Sequence, residues 1–162
     1  MSNSEIQELQ EGLRSARDAV LAAIDGISER ETHEVPAPGE WTVAQVLAHI
    51  AEIHTFWVGK AVLIIREDDP QITRTAVEND LRMAAVTDHA QDNLDDLKRE
   101  MTTVCEEALA TVGEFDPKDL GRPGHREENP MTAGGVIQFL AGHVRTHAGQ
   151  IIEARRLIRE KR

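Results

Sequence analysis

Apolar residues at Ile6, Leu9, Leu13, Ala16, Val20, Ile24 and Ile27 recur at intervals of three and four. This is the period of an amphipathic helix and predicts one from about Ser4 to Ser28. A stretch of turn formers, Val35-Pro36-Ala37-Pro38-Gly39, separates it from a second run, Val46, Ile50, Ile53, Trp57 and Ile64. Thr42 stands where an N-cap is wanted, and the second helix is expected to stop before Asp69-Pro70. A third run, Ala90, Leu94, Leu97, Met101, Val104, Ala108 and Val112, closes at Gly113, which suits a helix C-cap. A short helical piece is expected from Thr75 to Ala85. The fourth helix starts at Asn129-Pro130 or at Thr132 and carries the stripe Val136, Leu140, His143, His147, Ile151, Ala154 and Ile158. Arg155, Arg156, Arg159, Lys161 and Arg162 at its end complement the negative end of the helix dipole.

Four long helices, no run of alternating β-branched residues and no internal repeat predict an all-α four-helix bundle with long inter-helix loops. Sheet is expected only as short pieces. At 162 residues, the chain 1–162 is expected to form one domain whose core needs no disulfide or structural metal. The connection from Glu114 to Glu128 is long for a bundle, as functional connections often are, and is a candidate wall for a pocket.

The fourth stripe is apolar except at two places. His143 and His147 are four residues apart, so their Cβ atoms lie about 5–6 Å from each other on one helix face. Both rings point toward the apolar side, where an unpaired polar group is costly. A divalent metal would satisfy them, and His49, on another amphipathic helix, is the natural third ligand. By helical rise, His49 lies roughly 10 Å beyond Thr42, and His143 and His147 lie roughly 17 and 22 Å beyond Thr132. A modest stagger aligns them if the second and fourth helices run parallel. The competing reading is a set of core histidines hydrogen-bonded to backbone or water. Three imidazoles would leave a tetrahedral metal with one open position, which favours chemistry over a purely structural site.

Other chemically equipped residues have plainer roles. His54, five residues beyond His49, points elsewhere and is expected to be structural. His33 and His89 read as surface or boundary residues, and His125 as a solvated loop histidine. Trp41 anchors the start of the second helix. Gln150, one turn past His147, and Glu52, one turn past His49, are candidates for hydrogen bonds behind the ligands, Glu52 also for a general base. Cys105 is expected in the core, with Glu106 and Glu107 opposing a thiolate. No catalytic residue emerges from the chain itself.

A net charge of −11 leaves little positive surface for phosphates or anionic lipid, so neither nucleic acid nor membrane is an expected partner. The first residues carry no basic segment and no continuous apolar run, and no stretch is expected to reach the length of a membrane span. A single cysteine cannot form an internal disulfide. Together these predict a soluble, cytoplasmic protein.

The segment Trp41-Thr42-Val43-Ala44-Gln45-Val46-Leu47-Ala48-His49-Ile50, followed late in the chain by His143-Val144-Arg145-Thr146-His147-Ala148-Gly149-Gln150-Ile151, resembles the DinB-like metalloenzymes. That family is unrelated to the DNA polymerase sharing the name. The resemblance implies a four-helix bundle, often a homodimer, that holds a divalent metal through three histidines matching His49, His143 and His147. Some family members replace a histidine with a carboxylate. Characterised ones include transferases and isomerases that use low-molecular-weight thiols such as bacillithiol or mycothiol. The expected function is therefore a metal-dependent S-transferase or hydrolase acting on a small molecule, with zinc or nickel as the metal and a thiol as potential cosubstrate. The alternative is a non-catalytic stress-response protein that binds metal or a small ligand.

Overall fold

In the computed structural model, which describes residues 3–162, the first stripe folds as α1 (Asn3–Ala23). It stops earlier than its periodicity suggests, because Gly26 takes a left-handed conformation at φ 70°. Ile24 and Ile27 stay buried although they lie beyond the helix. Ser28 then opens α2 (Glu29–His33) through a capping box with Glu31. The Ser-x-x-Glu pattern marked that second start, which the apolar stripe concealed.

Thr42 caps α3 (Val43–Arg66), with Gln45 completing its box. Thr75 and Glu78 do the same for α4 (Ala76–Asp88), longer than the short piece expected there. Asn93 caps α5 (Leu94–Gly113), so the third long helix begins at Leu94 and not Ala90. Thr132, rather than Asn129-Pro130, caps α6 (Ala133–Glu160).

Among the described residues, α1, α3, α5 and α6 are the four long members of the bundle. Each packs on two others, in the cyclic order α1, α6, α3, α5. Arg145 donates to Gly12 O and Arg155 to Ala23 O, so α1 and α6 run parallel. His49 faces His147 while Trp57 faces Phe139, so α3 and α6 run antiparallel. The parallel arrangement entertained from helical rise is therefore incorrect. The meeting of the histidines follows from opposite chain directions. α4 returns the chain along the outside of α3, tied by Lys60 to Glu78.

The core is the shared apolar face of these helices: Leu13, Ile50, Ile53, Ile137, Leu140 and Ile151 are all buried. α3 is apolar on nearly every side, and its 24 residues are long and hydrophobic enough to cross a membrane. The expectation that no segment reaches that length was wrong. The reason is that α3 touches α4, α5 and α6 at once, and a helix surrounded by packing partners needs little polar surface.

The basic end of α6 does more than oppose a dipole. Arg155 donates to the carbonyls of Ala23 and Asp25 at the end of α1, and Arg159 pairs with the buried Glu31 of α2 at 3.1 Å. These contacts close the corner that α1 and α2 form.

The long connection after α5 is structured. A 3₁₀ turn at Pro117–Asp119 leads into a hairpin of β1 (Pro123–Arg126) and β2 (Asn129–Thr132). β1 also bonds the stretch after α3, with Ile72 N donating to His125 O and His125 N to Pro70 O. His125 thus sits in a strand with its ring 3.1 Å from Asp69, not in a solvated loop. Glu127 holds a positive φ of 56° at the hairpin tip, where Gln71 and Thr73 accept from its N–H.

Gly124 lets this hairpin seat on the bundle: a Cβ there would lie 2.6 Å from a side-chain carbon of the buried Ile64 and 3.2 Å from Pro70 O. Gly124→Ala is expected to cost about 1–3 kcal/mol through overpacking, read as a lowered midpoint in urea unfolding.

Candidate metal centre

His49 enters the bundle two turns into α3, where Thr42 fixes the helix start, and only 5% of it is exposed. His143 and His147 come from the middle of α6 and are partly exposed. The three rings meet edge to face, with His49 centred 4.7 Å from His147 and 6.1 Å from His143. One ring nitrogen from each lies within 4.8 Å of those from the other two. Trp41 approaches His49 edge-on at 5.2 Å, and His143 stacks on Phe139 at 5.6 Å. Trp41 is thus a wall of the cluster as well as an anchor.

The hydrogen bonds behind the rings determine which atoms face inward. Nδ1–H of His147 donates to Oε1 of Gln150 at 2.8 Å, leaving its Nε2 lone pair free. That Nε2 lies 3.2 Å from Nε2 of His143. Two nitrogens on one tetrahedral zinc, at about 2.0–2.1 Å each, are roughly 3.3 Å apart by geometry. The pair is already spaced for a shared cation. Nδ1 of His49 is buried with no hydrogen-bond partner. Glu52 Oε2 is nearest to it at 3.6 Å, too long for a hydrogen bond, and both oxygens of Glu52 accept from Arg74 at 2.7 and 3.0 Å. Glu52 therefore stands behind His49 while clamped by a guanidinium, an arrangement suited to orienting the ring and not to removing a substrate proton.

Burial pushes all three imidazoles toward the neutral form. His49 is lowered to about 3, first by desolvation and then by His147 and His143. His143 is lowered to about 4, again chiefly by desolvation, and His147 is lowered for the same reason against the opposing effect of Gln150. Neutral imidazole is the form that ligates a metal, so the donor set fits a borderline divalent ion.

A cavity of about 180 Å³ opens onto His49 and His143. The hairpin contributes Arg126 and Glu127 to its wall, so the long connection does line a pocket. The segment after α3 adds Thr73 and Arg74, and α4 adds Arg82. These arginines were not singled out from sequence. They come from three separate segments and carry no common motif. A larger hollow of about 470 Å³ lies on the other side of α3 against α4 and α5, and none of the three clustered histidines lines it.

His54 and Cys105 form a separate buried pair. His54 Nδ1–H donates to Ile50 O at 2.7 Å, which leaves Nε2 to accept from the Cys105 thiol at 3.3 Å. Desolvation pushes the Cys105 thiol up to about 12. His54 reaches the cysteine from α3, yet burial keeps the thiol protonated.

A model of the DinB superfamily matches residues 13–151. The chain belongs to the DinB superfamily. Among solved structures, the chain is similar to YfiT from Bacillus subtilis, with a TM-score of 0.77, 16% identity, and coverage of 96% of this chain and 89% of the other. YfiT is described as "a probable metal-dependent hydrolase with an unusual four-helix bundle topology". A protein from Streptococcus pneumoniae matches with a TM-score of 0.64 and 15% identity, covering 90% of this chain and 88% of the other. No functionally curated protein matches this sequence. At such identities the two structures establish the superfamily's bundle fold. The three-histidine cluster is formed by this chain's own residues.

Two outcomes follow for the chelated protein. The histidines have an ordinary value of 6.5, and folding lowers it, so between about 4 and 6.5 the unfolded chain binds more protons. Stability should therefore fall as pH drops through that window and level off above it, as measured by urea unfolding at a series of pH values. Cys105 should resist a disulfide reagent in the native state and react fully once the chain is unfolded.

Proposed function

We propose that this superfamily member is a divalent-metal-dependent hydrolase in which His49, His143 and His147 hold the metal, zinc or nickel. The observation behind this reading is the preset spacing of inward-facing imidazole nitrogens, with Nε2 of His143 and His147 3.2 Å apart beside a cavity. A three-histidine set leaves an open position, and a divalent metal there supplies Lewis acidity that turns water or an external thiol into a nucleophile near neutral pH.

The chain's own residues prepare the place. Gln150 fixes the His147 tautomer, and Glu52 lies behind His49. Trp57 and Phe139 form an apolar wall that limits water around the reacting group. No cysteine or serine lines the cavity, and the Thr73 hydroxyl is bonded to Gln71 and to the main-chain N–H of Glu127. In this reading the nucleophile comes from solvent or from a second substrate.

Thiol transfer is the second reading. It is favoured by the burial of Cys105, which leaves any thiol chemistry at the histidines to an external low-molecular-weight thiol. A non-catalytic metal-binding role shares the same ligands and differs in showing no turnover. The substrate is a small molecule in either enzymatic reading, and a cytoplasmic homodimer is the assembly we propose.

Untagged protein purified without chelator should carry about one divalent metal per chain by elemental analysis, and His49→Ala and His143→Ala should each lose it while staying helical by circular dichroism. Absence of metal after reconstitution and dialysis would overturn the reading. Glu52→Gln should weaken metal affinity by about 10–100-fold in a competition titration without abolishing it. Metal-loaded protein that hydrolyses esters or amides without added thiol would be a hydrolase. Turnover only with thiol would make it a transferase.

A further inference from the structure

The cavity beside the histidines is cationic in a chain whose net charge is −11. Its wall holds three guanidinium groups, from Arg74, Arg82 and Arg126, against a single carboxylate, that of Glu127. Arg74 is committed to Glu52. Arg82 and Arg126 have no carboxylate partner among the described residues, and the buried Nε of Arg82 donates to nothing. Four buried side-chain polar atoms lack partners among the described residues, and two of them, His49 Nδ1 and Arg82 Nε, belong to residues of this one cavity.

Arg126 lies over the rings of Trp57 and Phe139, 5.4 Å from each centroid. Held near two aromatic rings by cation–π attraction, a guanidinium keeps N–H groups available for an oxyanion. Glu127 does not supply one: its carboxylate forms no ion pair with either arginine, and its main-chain N–H is taken by Gln71 and Thr73. With Trp57 and Phe139 as apolar walls, the cavity offers a hydrophobic floor, two uncommitted guanidinium groups and two of the clustered histidines.

We propose that Arg82 and Arg126 bind an oxyanion group of the substrate, a carboxylate or a phosphate, and hold the adjoining bond against His49 and His143. As an assignment of substrate class this rests on the metal-dependent reading. Anion capture itself does not. About 180 Å³ is below the usual range for a whole small-molecule site, so the cavity takes a small acid or the anionic end of a larger molecule. The bidentate fork of an arginine suits both oxyanions, and their relative affinities decide between them.

The test uses the full chain, metal-loaded and metal-free, titrated with sodium propionate, inorganic phosphate and neutral propionamide, and followed by the side-chain Nε–H signals of its arginines in ¹H–¹⁵N NMR. Propionate or phosphate should move the Arg82 and Arg126 signals saturably in both forms, and propionamide should not. The tighter of the two anions assigns the carboxylate or phosphate class. Arg82→Gln and, on the exposed hairpin, Arg126→Gln should each raise the anion Kd about tenfold or more with metal content unchanged. Overturning results are no saturable shift, an equal response to propionamide, or unchanged affinity in both variants. Because metal-free protein is titrated alongside and metal is counted separately, loss of metal binding with retained anion binding would fault the metal reading alone.

Discussion

The seam between α3 and α6 is the constraint on which the rest of this molecule depends. Because the two helices run antiparallel, a ladder of contacts pairs His49 with His147 at one level and Trp57 with Phe139 two turns away. The apolar rungs fix the register, and the register places three imidazoles from distant parts of the sequence around one point. A slip of one turn, about 5.4 Å, would leave the α6 pair facing an aliphatic residue of α3. The cost of packing errors at Trp57 is therefore also a cost in site geometry.

The second layer of organisation lies outside the bundle. The hairpin of β1 and β2 is pinned to the stretch after α3 by main-chain bonds between His125 and residues 70 and 72. Gly124 allows the close approach, and Gln71 and Thr73 hold the strained tip at Glu127. Arg126 is thereby carried over Trp57 and Phe139, and Arg74 follows directly from the pinned segment. The helices position the histidines, and two connecting segments, together with α4, position the charges around them.

This division explains what the sequence disclosed. Periodicity is strong in long half-buried helices, so α1, α3, α5 and α6 were legible, as was the helical spacing of His143 and His147. Helix ends were less so, because Ile24 and Ile27 remain buried after α1 has ended and keep the stripe going where the backbone has turned at Gly26. Chain direction was not legible at all, since it depends on the path through α4 and the hairpin. Arg82 and Arg126 could not be picked out, as a surface helix and a four-residue strand leave no periodic signature, and an arginine acquires meaning only from what lies opposite it in space.

Two histidine sets in this chain show why burial alone does not make a site. His54 is as deeply buried as His49, and a cysteine stands beside it, a combination that on residue types alone suggests a nucleophile. Yet its Nδ1 is used by Ile50 O, its Nε2 by the Cys105 thiol, and burial holds that thiol near 12. Every polar atom is answered from within the fold, so nothing from outside is required. Around His49 the accounting stays open: its Nδ1 and the Nε of Arg82 are buried without partners, and inward-facing nitrogens of His143 and His147 crowd one another beside an accessible cavity. Folding tolerates such deficits only where the neighbouring packing is strong enough to carry them, and α3, enclosed by three helices, is the most heavily packed element available. Arg82 lines a cavity that admits a group able to complete its guanidinium, while the unpaired Nδ1 of His49 lies on the Glu52 side of its ring, behind the cluster.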